Sequence, residues 1–199
     1  MANTDPSIIV PFATGRSMSN GTAATYYTTT YTPSNQSNST QVLTLAFGAA
    51  GPANLGIGYD ILTGEATTYV NSLVFADSAN IGSTYSFIVA TDISLVNIQA
   101  EIYVVSNYNN TAYTTSPYVA LAVSPPGSDT FKVLPETITT IATQNSYTIN
   151  TVLYNSKENI EVSIEKGSRV LIIGGHTNDS ASTQSTTTAF RFSGGLAFW

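Results

Sequence analysis

The sequence predicts an all-β fold, and three observations carry that prediction. Short runs rich in Val, Ile, Thr, Tyr and Phe recur at spacings of roughly 8–12 residues, separated by Gly, Pro, Asn and Asp. No stretch of about 10–15 residues holds the 3.6-residue period of a helix. The closing segment has a distinctive order of parts: an alternating strand, the turn IEKGSR, the apolar run RVLIIGG and a final FRFSGGLAF. That order suggests a trimeric jelly-roll head, with the last strand in the middle of the inner sheet. The 199 residues suffice for one core. We read residues 1–199 as a single domain, with 1–6 a flexible or added start.

Taken in order, residues 7–12 (SIIVPF) form a first strand, which Pro11 holds at an edge or bend. Residues 25–31 (TYYTTTY) form a strand or a flap. Residues 32–40 (TPSNQSNST) form an exposed loop. Residues 41–48 (QVLTLAFG) and 56–61 (GIGYDI) form two more strands. Over residues 85–91, Tyr85, Phe87 and Val89 share one face and Ser86, Ile88 and Ala90 the other. Over residues 98–105, Ile98, Ala100, Ile102 and Val104 point inward, and Gln99, Glu101 and Tyr103 outward. Residues 106–115 (SNYNNTAYTT) read as a polar loop bearing tyrosines. Strands follow at 117–123, 131–134, 137–141 and 147–153. Ile160, Val162 and Ile164 alternate as a half-buried strand. The apolar run 170–173 reads as an inner-sheet strand, and 186–192 and 196–198 close the chain.

Composition narrows the function classes. Charged residues make up 9% of the chain, against about 25% in typical soluble domains. Thr, Ser, Asn, Gln and Tyr supply the remaining polarity, a surface suited to exposure outside a cell. The net charge of −6 leaves no basic patch for nucleic acid. No basic amphipathic stretch points to membrane insertion, and no apolar run reaches the roughly 18 residues a spanning helix needs. Cysteine is absent, which removes disulfides and thiolate metal sites.

No catalytic constellation emerges. His176, the single histidine, sits in HTNDS and reads as a loop residue among turn formers. A serine hydrolase would draw its triad from separate elements. Glu158, Glu161 and Glu165 form the densest acidic group, and with Lys157 and Lys166 beside them they read as solvated charges rather than a glycosidase pair. The candidate ligand or interface contacts are Tyr26, Tyr27, Tyr31, Tyr108, Asn109 and Tyr113. Aromatic rings beside amides suit stacking and hydrogen bonding to a sugar or a protein. Packing across a subunit interface is the competing role for these rings. Sequons occur at Asn20, Asn35, Asn38, Asn109 and Asn178.

Three segments carry a family resemblance: SIIVPFATG at 7–15, GIGY at 56–59 and IEVSIEKGSRVLII at 160–173. They stand in the order seen in the C-terminal domains of BclA-type collagen-like glycoproteins, which form hair-like filaments on the exosporium of bacterial spores. FRFSGGLAF resembles the final strand of the tumour necrosis factor and complement globular-head superfamily. Ser168 stands where that superfamily usually has Asp. The resemblance implies a ten-stranded jelly roll that forms a homotrimer, with both termini at its base and a Gly-X-Y stalk before it. It implies extracellular display at the spore surface and adhesion to a host-surface protein or glycan. It requires no cofactor, though a structural calcium ion between subunits, near Asp60, Asp92 or Asp129, stays open. The expected function is therefore a non-enzymatic structural and adhesive head. A phage or viral fibre head and a carbohydrate-binding module of a secreted enzyme are the alternatives.

Overall fold

The computed structural model describes residues 8–13, 27–31, 39–45, 53–60, 65–66, 73–74, 86–109, 114–128, 130–178 and 186–199. They carry seventeen strands. The first seven are β1 (Ile8–Ala13), β2 (Tyr27–Tyr31), β3 (Ser39–Leu45), β4 (Ala53–Asp60), β5 (Glu65–Ala66), β6 (Leu73–Val74) and β7 (Phe87–Ile88). Next come β8 (Ile93–Val104), β9 (Tyr108–Asn109), β10 (Thr115–Ser124), β11 (Thr130–Val133) and β12 (Thr139–Thr140). The last are β13 (Ser146–Tyr147), β14 (Val152–Lys157), β15 (Val162–Ile164), β16 (Arg169–Asn178) and β17 (Thr186–Phe198). Helical backbone among the described residues is a single 3-10 turn at Pro135–Thr137.

The pairing is antiparallel and nested. β1 and β2 pair with β17, β3 with β16, and β8 with β14 and β15. β9 pairs with β13, and β10 with β11 and β12. Most of the chain thus follows one long hairpin whose tip lies between β10 and β11, from which β4, β5 and β6 depart by pairing with β3, β4 and β11. Rolling that hairpin brings β17 against β8 and β16 against β10. The result is a jelly roll of two main sheets. One holds β1, β2, β17, β8, β14 and β15, and the other β3–β7, β10–β12 and β16. The last strand lies in the middle of its sheet, as the sequence predicts.

Period-2 patterning decides which side chains meet between the sheets. Along β8 the residues Ile98, Ala100, Ile102 and Val104 are buried, and they meet Val119, Leu121, Val170 and Ile172 of the opposite sheet. β10 and β16 are different, because both of their faces are apolar and buried. Tyr118, Ala120, Ala122, Leu171 and Ile173 point away from that core and are equally inaccessible. This corrects the reading of residues 170–173. They are buried on two faces, as a continuous apolar run implies, but they lie in the sheet that does not contain the chain end. The half-buried β15, in contrast, shares a sheet with β17.

Two predicted boundaries also move. Residues 186–192 and 196–198 form one 13-residue strand, because the glycines between them adapt it to a close approach. A Cβ at Gly194 would sit 2.1 Å from the Gln99 carbonyl oxygen and 2.6 Å from the Phe12 ring. The missing side chain therefore lets Phe12 cross β17 into the core. Residues 147–153 split in the opposite sense. Asn150 takes φ +68°, and the turn around it sends Tyr147 to β13 and Val152 to β14.

Candidate functional site

The solvent face of the β17–β8–β14 sheet is set by register. Val152 pairs with Tyr103 and Tyr103 with Arg191; Tyr154 pairs with Glu101 and Glu101 with Ser193. Tyr154 is 74% exposed and Val152 49%. The Arg191 guanidinium lies over the Tyr103 ring, 5.6 Å from its centroid. Its Nε is buried and has no hydrogen-bond acceptor among the described residues. The Tyr103 hydroxyl donates to Asn150 Oδ1 at 2.5 Å, and Ser193 Oγ donates to Glu101 Oε1 at 3.2 Å. A shallow depression of about 310 Å³ lies between Tyr154 and Gly194–Gly195. One open face thus combines two tyrosines, a valine, one cation and one anion.

A second concavity opens at the end of the sandwich where β8 begins and β17 ends. Four segments distant in sequence meet there at Trp199, enclosing about 1020 Å³. Ile93, Ile164, Val123 and Leu134 give it an apolar floor, and Asp92, Glu165, Lys132, Ser94 and Ser163 give it a polar rim. The frame is hydrogen-bonded. Trp199 N–H donates to the Ser94 carbonyl at 2.9 Å, and Lys166 N–H donates to Asp92 Oδ1 at 2.8 Å. Ser94 Oγ and Ser163 Oγ lie 3.5 Å apart.

The opposite end of the sandwich is closed by aromatic rings. Tyr147 packs on Phe190 at 5.2 Å and Phe190 on Phe192 at 6.3 Å, both edge to face. Tyr108 lies 6.2 Å from Tyr147. The Tyr147 hydroxyl donates to the Thr115 carbonyl at 2.6 Å, and Thr115 Oγ1 donates to the Tyr108 hydroxyl at 3.0 Å. Burial raises the Tyr147 phenol well above the ordinary tyrosine range.

Placement of the predicted contacts follows. Tyr108 is only 8% exposed and belongs to the core, so it is a packing residue and not part of an exposed loop. Its polar neighbours in SNYNNT mask a strand that pairs with β13. Asn109, one residue on, is exposed. Tyr27 and Tyr31 pair with Phe190 and Thr186 of β17. Tyr26 and Tyr113 lie outside the described residues. His176 belongs to β16, opposite Pro117, rather than to a loop. Glu158, Glu161 and Glu165 are all exposed. Among the described residues no three of His, Cys, Asp and Glu converge as a metal site. Trp199, the single tryptophan of the chain, is not among the contacts that the sequence predicts. The available signal was a lone tryptophan directly after an apolar strand.

No protein-family model matches the chain, and no curated protein sequence does. Among solved structures the chain is similar to one titled "Structure of infectious bursal disease virus Gt strain", at 11% identity and a TM-score of 0.36. The match covers 97% of this chain and 32% of that one. The corresponding Gx-strain structure matches at 12% identity and a TM-score of 0.34, over 97% and 33% of the two chains. The chain spans about a third of the length of these structures.

Proposed function

We propose that this chain is a non-enzymatic head domain that assembles as a homotrimer through the solvent face of the β17–β8–β14 sheet. One observation carries the reading: that face leaves Tyr154 and Val152 exposed beside Tyr103, whereas the outer side of β10 and β16 is buried. Exposed apolar groups clustered on one face mark an interaction surface. Aromatic and arginine residues are the usual anchors of such interfaces. Arg191 and Glu101 supply complementary charges, so a cyclic assembly sets the cation of one copy against the anion of the next. The jelly roll supports the reading by matching the fold that the family resemblance implies. Display on a spore-surface collagen-like filament, for adhesion, rests on the motif resemblance alone; Gly-X-Y repeats upstream in the gene test that placement.

Light scattering tests the assembly. The expected mass is three times the 21.0 kDa protomer. Tyr154→Arg puts a charge on the exposed face without disturbing the core, and should yield a folded monomer. A monomeric parent protein overturns the proposal, and so does a Tyr154→Arg variant that stays trimeric.

A further inference from the structure

We propose that the cleft beside Trp199 binds a neutral oligosaccharide, with the indole as its stacking platform. The inference deepens the adhesive part of the reading above and rests on that part. It does not rest on trimerisation.

The cleft's chemistry is mixed in the way a sugar requires. A pyranose presents C–H groups on its faces and hydroxyls around its edge. Trp199 lines the cleft and is 39% exposed, and an indole offers an apolar face to pack against C–H groups together with an N–H donor. Ile93 and Ile164 continue that apolar surface as a floor. Around them stand Asp92 and Glu165 as acceptors, Lys132 as a donor, and the Ser94 and Ser163 hydroxyls as either. Carboxylates accept strong, charge-assisted bonds from hydroxyls. Asp92 Oδ1 already accepts the Lys166 N–H, which fixes its side chain before any ligand arrives. The Trp199 backbone is likewise held by Ser94.

Size and charge narrow the class. At about 1020 Å³ the cleft lies at the top of the range for small-molecule sites, about 300–1,000 Å³, which fits several linked rings better than one. Two carboxylates, Asp92 and Glu165, and one ammonium, Lys132, line the cleft. A sialylated glycan or a fatty acid would bring its own carboxylate into that excess of negative charge. A neutral chain carries no such cost.

The single tryptophan of the chain makes its emission a reporter of this cleft alone. The fluorescently labelled full chain is first applied to a printed panel of neutral and acidic glycans. Trp199 emission is then titrated with maltotriose, tri-N-acetylchitotriose, 3′-sialyllactose and the best neutral glycan of the panel. The expected result is selective retention on neutral glycans and a saturable emission change in the millimolar range or below. Asp92→Asn/Glu165→Gln should weaken that binding at least about tenfold; the amide oxygen that replaces the Asp92 carboxylate can still accept the Lys166 N–H, so the fold is kept. Retention of no neutral glycan, tighter binding of 3′-sialyllactose, or unchanged affinity in the double variant each overturns the proposal. Light scattering of the same samples separates the readings. A monomer that binds neutral glycan keeps this inference and loses the trimer; a trimer that binds none does the reverse.

Discussion

The two ends of the sandwich use similar side chains to opposite effect. At the end where β8 finishes, Tyr108, Tyr147 and Phe190 are buried and packed on one another. At the end where β8 begins, Trp199 stands over a cleft with its ring partly in solvent. Both ends mix aromatic rings with hydroxyls. The closed end turns its polar atoms onto one another and onto backbone: Tyr147 to the Thr115 carbonyl, Thr115 to the Tyr108 hydroxyl. The open end leaves the carboxylates of its rim exposed. Satisfied polar groups can be buried at little cost, whereas unsatisfied ones must stay wet or meet a ligand. Burial of the polar atoms, rather than aromatic content, separates the structural end from the candidate binding end.

The largest expected effect is at the closed end. Phe190→Ala removes a fully buried ring from the aromatic chain and should cost about 3–5 kcal/mol. Trp199→Ala removes a larger ring but one that is 39% exposed, keeps the backbone bond to Ser94, and should cost about 2 kcal/mol. Urea unfolding followed by circular dichroism measures both. Equal losses would break the comparison, because the Trp199 ring would then be a structural plug like its counterpart.

A smaller effect tests whether the open end is rigid. The turn at its rim places Gly167 at φ +86°, and a Cβ there would lie 3.3 Å from Pro126 Cγ. Gly167→Ala should cost about 1–2 kcal/mol from the left-handed backbone alone. It should also press the Glu165–Ser168 turn away from the Pro125–Pro126 turn. Thermal unfolding gives the first quantity, and the shift in Trp199 emission gives the second. An unchanged melting temperature would mean that the turn relaxes freely and that the cleft has no fixed wall on that side.

How far the sequence reveals these ends follows from the range of the interactions. Alternation along β8 is local, so the inward and outward sets at residues 98–104 are read correctly. The run at 170–173 announces two buried faces, but not which sheet it joins, since that depends on pairing with β3 and β10. The split at residues 147–153 is hidden because Asn150 can adopt a positive φ without a glycine to mark it. Tyr108 looks exposed because its sequence neighbours are polar, while its spatial neighbours are Tyr147 and Thr115. The cleft is invisible for the same reason: residues 92–94, 123–125, 132–134 and 163–168 meet Trp199 only after the hairpin rolls.

The smallest effect concerns the hydrogen bond that closes the sealed end. Tyr147→Phe keeps the ring against Phe190 and removes only the hydroxyl. The Thr115 carbonyl retains a second donor, the Gln144 N–H at 3.1 Å, so no acceptor is orphaned and the cost should be about 1 kcal/mol. The same hydroxyl makes stability depend on alkaline pH. Burial raises the folded-state pKa of Tyr147, so the native protein holds a proton that the unfolded chain releases near the ordinary value of about 10. The stabilisation from keeping that phenol neutral is complete below about pH 10 and falls above it, by at most about 1.4 kcal/mol per pH unit for one group. Denaturation midpoints measured from pH 8 upward should therefore fall more steeply for the parent protein than for Tyr147→Phe, and the two curves should converge as pH rises. Parallel curves would mean that the phenol ionises in place, and the sealed end would then be as accessible to water as the open one.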